Sequence, residues 1–592
     1  MSFCSSCGAT LKAEAAFCSK CGAKVLNQFA ENTSGNKEVV SSIAPAKESA
    51  LTDHEWEAFF SSSTGVDKLY KLARSYSRNN KHCVVLTNLQ KFRDALGAKY
   101  LDFEIALRTY CMGRMVDGWR FHLLDLSSNR LGSSNGDTWV ECVSQLRNGV
   151  DCLKREGRAI VDAVFIVGDE GIVPMAVFEN PTYNPLSNIL EIGGMQPYDA
   201  DVDSDLPFST LSIKDPIKDN AALEIKASVG RLPSGRLDSG QVAVHYLKNA
   251  AQEKNTNRSS FQGFGISTPR WFGSSEFIAQ KVKDIHLHKC PEFSLINDSE
   301  KLNVDANYFY FKLHGSDNRE LWFGDDGSGA QPEALAPHHL QMIEQENVVC
   351  SEACYGAKYI GFTPSNSCLK SAFLGNTLAF CGSSRIAWGA ACASSKNLVC
   401  ADVLALRFLL EVKSGRIFGD ALSLARNSLL DSDNLNPNDL LTILEFNLFG
   451  DPTNAMPVAQ TASSSQGNSN AKSSTGGVGM SALSPRNPLS SVRASLQRSS
   501  SNLRIRMPDV LSDVKASLDA TWEKINARLV EHIYNAEPSL KGVEPQVKLM
   551  KLGLARTETL QISVLQKRNN IFIGRAIYAD RSGEILSELC PT

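Results

Sequence analysis

Two short segments hold the residues best suited to chemistry. Tyr310-Phe311-Lys312-Leu313-His314-Gly315-Ser316 is an apolar run ending in His-Gly, and Val348-Val349-Cys350-Ser351-Glu352-Ala353-Cys354-Tyr355-Gly356-Ala357 is an apolar run ending in a cysteine followed by small residues. Forty positions separate His314 from Cys354. In a parallel sheet, ligands bind outside the carboxyl ends of the strands, so adjacent strands would set both side chains on one rim. A Cys–His pair there is the minimum apparatus for covalent acyl transfer, with a thiolate to attack a carbonyl and an imidazole to carry the proton to the leaving amine. Gly315 lacks a Cβ, so its N–H can approach a substrate. Together with the N–H of Cys354 it could form an oxyanion hole. On spacing alone the plainer alternative stays open and is the commoner case: a core cysteine on a buried strand and a hydrogen-bonded loop histidine, with fifteen other cysteines competing.

A second constellation lies at the start. Cys4, Cys7, Cys18 and Cys21 form two Cys-x2-Cys blocks ten residues apart, each followed by Gly. Two such knuckles close a tetrahedral thiolate shell around Zn²⁺ and leave no position for water, so the expected role is structural. A module this small, with almost no core, would fold only with its metal. A redox pair and an iron–sulfur cluster are the alternatives.

These residues must be positioned by a chain of 592 residues with 43% hydrophobic and 21% charged composition, close to a globular average. Lys+Arg is 61 and Asp+Glu 64, giving a net charge of −3 and a pI of about 6.4, so no global field draws it to nucleic acid or an anionic membrane. No run reaches the ~18 apolar residues that span a bilayer. Residues 1–25 are the ribbon and 26–51 a polar linker. Residues 52–456 form one long globular region, 457–507 a disordered Ser-rich basic linker and 508–592 a small α+β module. In the long region, runs at 163–167, 308–311, 347–350 and 377–381 read as buried strands, with helical patterns at 238–253, 276–286 and 400–413. That alternation predicts an α/β sandwich with a mostly parallel sheet. In the module, Val510, Leu511, Val514, Leu518, Trp522, Ile525 and Leu529 recur at helical spacing, and 560–564 with 570–574 suggest a hairpin.

The order of several segments resembles the gingipain catalytic domain, within the caspase-like clan of cysteine peptidases. The matches are Phe165-Ile166-Val167-Gly168-Asp169 with Ile172-Val173-Pro174, the acidic stretch Tyr198 to Asp205, and Val229-Gly230-Arg231-Leu232-Pro233. Then come the His-Gly and Ala-Cys-x-Gly segments, Ala379-Phe380-Cys381 through Trp388, and the closing Asn447-Leu448-Phe449-Gly450-Asp451-Pro452. They cover roughly residues 160–455. The resemblance implies a caspase/gingipain-like α/β/α sandwich, Cys354 as nucleophile, His314 as general acid/base, Gly315 N–H as an oxyanion donor and Trp388 as a wall of the substrate pocket. No acid that would orient the histidine is evident in Gly265–Glu276, where the family carries one. Glu276 falls near the place of an arginine-selecting carboxylate, and an exposed helix-start glutamate is the preferred alternative. A Ca²⁺ site at Asp201, Asp203 and Asp205 is a further alternative, but a solvated acidic loop is preferred.

The resemblance therefore implies a cysteine endopeptidase acting on protein or peptide substrates, with structural zinc and no organic cofactor. The opening residues show no basic stretch followed by an apolar one, which predicts a cytoplasmic, reducing location and a signalling or defence role rather than a digestive one. A regulatory protein partner would bind through the ribbon or the C-terminal module. The basic linker lacks interleaved aromatics for nucleic-acid stacking; its six basic residues without an acid suit cleavage, by the enzyme itself or by a partner, but a flexible tether with basic residues for solubility is the preferred alternative. The alternative of another class is a catalytically silent scaffold that keeps the fold and binds partners through its ribbon.

Overall fold

Short runs rich in Val, Ile and aromatic residues form strands because branched and flat side chains suit a pleated, buried surface. The computed structural model describes residues 2–3, 10–11, 81–116, 118–127, 136–157, 161–182, 200–250, 262–297, 306–326, 330–390, 398–430, 435–456, 509–510, 518–552, 557–568 and 571–591. It divides into two units, Met1–Asp53 and His54–Thr592. In the first, β1 (Ser2–Phe3) and β2 (Thr10–Leu11) pair antiparallel. The four ribbon cysteines and both linkers lie outside the described residues.

The second unit is built on a ten-stranded sheet. Its strands are β3 (Lys81–Thr87), β4 (Trp119–Asp125), β5 (Val161–Val167), β8 (Ser228–Leu232), β9 (Gly263–Ser267), β10 (Ile285–Lys289), β11 (Tyr308–Lys312), β14 (Asn347–Ser351), β15 (Thr377–Ser383) and β17 (Phe446–Gly450). Their order is β10-β9-β11-β14-β15-β17-β8-β5-β3-β4. Among these pairings only β15–β17 is antiparallel. Two parallel halves of opposite direction thus meet there. Strands β3 and β4 bring residues from 81 to 125 into the same sheet as the rest.

Alternation along each strand feeds two cores. Phe309, Phe311, Val349 and Phe380 belong to one buried cluster; Tyr308, Tyr310, Val348, Cys350, Ala379 and Cys381 belong to the other. Successive side chains leave a strand on opposite faces, so each face needs a cover. Helices Tyr100–Val116, Gln241–Ala250 and Cys368–Leu374 supply residues to the first cluster, and Phe272–Val282, Ala401–Lys413, Phe418–Leu430 and Pro437–Glu445 to the second. The result is an α/β/α sandwich. The helix expected at 276–286 starts instead at Phe272 and stops at Val282, because Ile285–Lys289 is recruited as edge strand β10.

The acidic stretch at 201–205 is not a solvated loop. Asp201–Ser204 is β7, paired antiparallel with β6 (Ala176–Glu179). Asp205 is buried and binds Arg231 through both oxygens, at 2.8 and 2.6 Å, and Asp203 pairs with Arg385 at 2.9 Å. Arg231 also donates to the carbonyls of Gly168 (3.0 Å) and Val173 (2.6 Å). A fully buried guanidinium needs such partners to offset its desolvation. The need explains why the Gly-Asp and Gly-Arg segments, distant in sequence, are found together. Asp203 and Asp205 are thus both engaged by arginines.

The C-terminal module joins the same unit. Its helix runs Ala520–Ala536, capped by Asp519, whose carboxylate accepts the N–H groups of Thr521 and Trp522 at 3.0 Å each. The helical spacing read from 510 onward is therefore wrong at its start, where Asp509–Val510 is strand β18. Trp522, Ile525, Leu529 and Ile533 are the buried face. Strands β19 (Gln546–Leu552), β20 (Thr557–Arg568), β21 (Ile571–Ala579) and β22 (Ile585–Pro591) follow as an antiparallel meander. The sheet is completed by β16 (Trp388–Ala390), a strand of the sandwich region, paired with β22. Among the described residues no helix is long and apolar enough to cross a membrane.

Candidate active site

Register places the histidine and the cysteine together. Parallel strands β11 and β14 are neighbours, with Phe311 opposite Ser351. His314 and Cys354 each lie three residues beyond that pair, so both emerge at the same level past the carboxyl edge. Contact follows at the backbone: a Cβ on Gly315 would sit 1.7 Å from the carbonyl oxygen of Cys354 and 3.2 Å from its nitrogen. Any side chain at 315 would thus push the two loops apart.

His314 is locked in place. Its N–H and C=O exchange hydrogen bonds of 2.8 Å with Phe323, in the short strand β12 (Trp322–Phe323), which pairs with β13 (Glu333–Leu335). Trp271 meets the imidazole edge-on at 4.6 Å. That return of the chain brings Asp325 to His314, with Oδ2 3.4 Å from Nε2. Asp325 is in turn paired with Arg270 at 3.0 Å, and Arg270 with Glu537 at 2.7 Å. Burial holds the imidazole below its ordinary 6.5, while the hydrogen bond and charge of Asp325 act the other way. A lowered histidine keeps its neutral, proton-accepting form to more acid pH, so the acid limb of kcat/KM should fall below pH 6.5. Asp325→Asn should lower kcat at least about tenfold, by losing the orienting carboxylate. It should also move that limb further toward acid, since an influence that raises the pKa is gone. A pH–rate profile reads both, and a limb that stays in place would exclude Asp325 from this role.

Cys354 is buried, as is Trp388, and both belong to the cluster on the second face of the sheet. Its Sγ is 3.8 Å from the carbonyl oxygen of Ala387, the residue before β16. Tyr355, directly after it, has φ of 55°. A non-glycine residue in the left-handed region costs about 1–3 kcal/mol and persists only where its surroundings fix it. Here the Tyr355 N–H bonds Arg385 O at 2.7 Å. Gly356 follows because a Cβ there would lie 2.7 Å from Ser351 Oγ and 2.9 Å from Ala353 O.

Beneath the pair lies a buried charge cluster. Lys312 Nζ donates to Asp402 Oδ1 and to Ser274 Oγ (2.9 Å), and stands 3.3 Å from Glu352 Oε2. Tyr310 OH donates to Glu352 Oε1 at 2.7 Å. The second oxygen of Asp402 accepts the Ala390 N–H at 2.6 Å. Lys312 is two residues before His314 and Glu352 two before Cys354, so one ammonium ties both loops and strand β16 together.

The structure brings together His314, Gly315 and Cys354, and Trp388 belongs to the same buried cluster as Cys354. It does not bring Glu276 to them: Glu276 is on the exposed side of its helix, while the adjacent Ser274 and Ser275 are buried. The residue missed in sequence is Asp325. It lies eleven residues after the histidine rather than before it, and only the His314–Phe323 bridge reveals the proximity.

The match of known families follows this geometry. The zinc-ribbon domain model matches residues 3–25, and the model of peptidase family C25 matches residues 102–457. No curated protein matches the chain. Among solved structures, the chain is similar to the crystal structure of the Arg-specific cysteine proteinase gingipain R, at 12% identity and a TM-score of 0.42, covering 64% of this chain and 78% of that one. It is similar to the complex of Porphyromonas gingivalis RgpB pro- and mature domains, at 12% identity and 0.41, covering 63% and 79%. A third, titled only as the structure of a protease, gives 10% identity and 0.41, covering 87% and 92%.

Proposed function

The chain belongs to peptidase family C25, a family of cysteine peptidases acting on proteins, and on that footing we propose that Cys354 and His314 are its working dyad in an endopeptidase. The observation that carries this reading is the matched three-residue overrun of both residues past neighbouring parallel strands. His314 takes the proton of the Cys354 thiol, the thiolate attacks the scissile carbonyl carbon, and the N–H groups of Gly315 and Cys354 receive the oxyanion. As the C–N bond breaks, His314 gives the leaving amine its proton and a thioester remains. Water then adds to the thioester, yielding a proton to His314, and the peptide acid departs as the thiol is restored. Asp325 orients the imidazole through Nε2, and Trp388 walls the pocket on the Cys354 side.

Cleavage after Arg or Lys is part of the proposal, although the exposed Glu276 does not support an acidic pocket at that position. Cys4, Cys7, Cys18 and Cys21 would hold a structural Zn²⁺, a soft, fully protein-ligated ion with no place in the reaction. We place the protein in the cytoplasm, where a reducing medium keeps its cysteines as thiols, in a signalling or defence role. There the zinc ribbon or the C-terminal module would receive a regulatory partner, and the linker at 457–507 would be a site of self-processing.

The test is cleavage of fluorogenic peptides varied at the residue before the scissile bond, under reducing conditions. Turnover with a defined preference is expected from protein in which Cys354 is accessible to alkylation, and a preparation analysed for metal should carry about one zinc per chain. Absence of turnover from protein whose Cys354 can be alkylated would overturn the peptidase reading.

A further inference from the structure

A peptidase must hold its substrate extended, and the commonest way is to add it as a strand to a free sheet edge. The edge nearest the nucleophile is β16. It begins one residue after Ala387, whose carbonyl faces Cys354 Sγ. One edge of β16 is already taken. Strand β22 lies antiparallel on it, with Leu589 opposite Ala390, Cys590 opposite Gly389 and Pro591 opposite Trp388.

The module also closes the space around the dyad. Leu589 and Phe572 are in the same buried cluster as Cys354, Tyr355 and Trp388, and the Phe572 ring lies 5.9 Å from that of Tyr355. On the histidine side, Cys590 Sγ accepts the Trp271 indole N–H at 2.8 Å, and Trp271 is the ring set against His314. Cys590 also donates to Ala390 O at 3.5 Å. With this cover in place Cys354 and His314 each keep only 2% of their surface exposed, too little for a peptide carbonyl to reach the sulfur.

We propose that strand β22 is a resident occupant of the substrate-binding edge and keeps the peptidase latent until it is displaced. The proposal rests on the peptidase reading above, because it names the regulation of that same site. The seal is made to open. Only three residue pairs join β22 to β16, and Pro591 has no N–H to give to the ladder. At the far end of β22, Ile585 and Leu586 are exposed. A partner that captures the module, or cleavage of the linker at 457–507, would free the edge for substrate.

The test measures access and catalysis separately in the full chain. Leu589→Asp places a carboxylate in an apolar cluster, which is unfavourable enough to lift the strand. Three readouts are taken: amide exchange at 585–591, the rate of Cys354 alkylation by iodoacetamide, and peptide turnover. Faster exchange in β22 with β5 and β14 still protected, and alkylation at least about tenfold faster, are expected. Phe572→Ser, which loosens the cover from β21, should act in the same direction. Wild type gives an arm that needs no variant: across sub-denaturing urea, Cys354 alkylation should follow exchange of 585–591. Alkylation that follows β14 instead, or stays unchanged once β22 exchanges freely, overturns the proposal. Faster alkylation without any peptide turnover would keep the latch and sink the peptidase reading instead.

Discussion

Cys354→Ala should reduce peptide hydrolysis by about 10⁴-fold or more, because it removes the proposed nucleophile and with it the covalent route that the remaining residues would serve. The loss should appear in kcat, with substrate affinity little altered. Intact mass should show an uncut chain in the variant wherever wild type cuts its own linker, and identical uncut chains in both would exclude self-processing. Cys350→Ala is the informative control. Cys350 is fully buried inside β14, opposite Cys381, and that neighbouring thiol together with burial drives its own thiol well above the ordinary 9.0. Its removal should cost some stability and leave kcat intact. Equal losses in both variants would mean that the fold, not the nucleophile, had been damaged. The four-residue spacing thus separates a cysteine that builds the sheet from one that emerges beyond it.

That distinction was legible in sequence, and so was the sheet. Buried parallel strands are near-continuous apolar runs, and the runs ending before His314 and Cys354 are of that kind. What sequence could not supply was pairing across distance. Arg231 finds Asp205 because both are buried and need each other. Asp325 reaches His314 only through a two-residue strand, Trp322–Phe323, too short to leave a periodic signal. Val510 continues the apolar spacing of the helix at 520, yet it is drawn into a strand by β19, and Asp519 supplies the cap of that helix. The docking of β22 on β16 joins residues 200 positions apart, and nothing in either local pattern announces it.

The buried charge cluster gives the largest expected stability effect. Lys312, Glu352 and Asp402 have no exposed side-chain surface, so each depends on the others. Removing one partner from a buried charged set costs about 3–5 kcal/mol, because the remaining charges keep their desolvation without compensation. Lys312→Met, similar in length and apolar, should lower stability by that amount in urea unfolding. The pH dependence gives the check on cause. Burial, with Asp402 adding to it, raises Glu352 from its ordinary 4.5 to about 7, while Lys312 pulls it down. An acid raised in the folded state contributes stability that is present below its ordinary pKa and is lost as pH climbs through the folded value. Without Lys312 the carboxyl should rise further, so the variant's deficit should widen from pH 5 to pH 8. A deficit equal at both ends would mean lost packing rather than an uncompensated charge. The functional consequence follows from placement: the same ammonium anchors the strand leading to His314, the loop leading to Cys354 and, through Asp402, the Ala390 N–H of β16. A variant that still folds at pH 5 should therefore lose kcat there by more than its folded fraction explains.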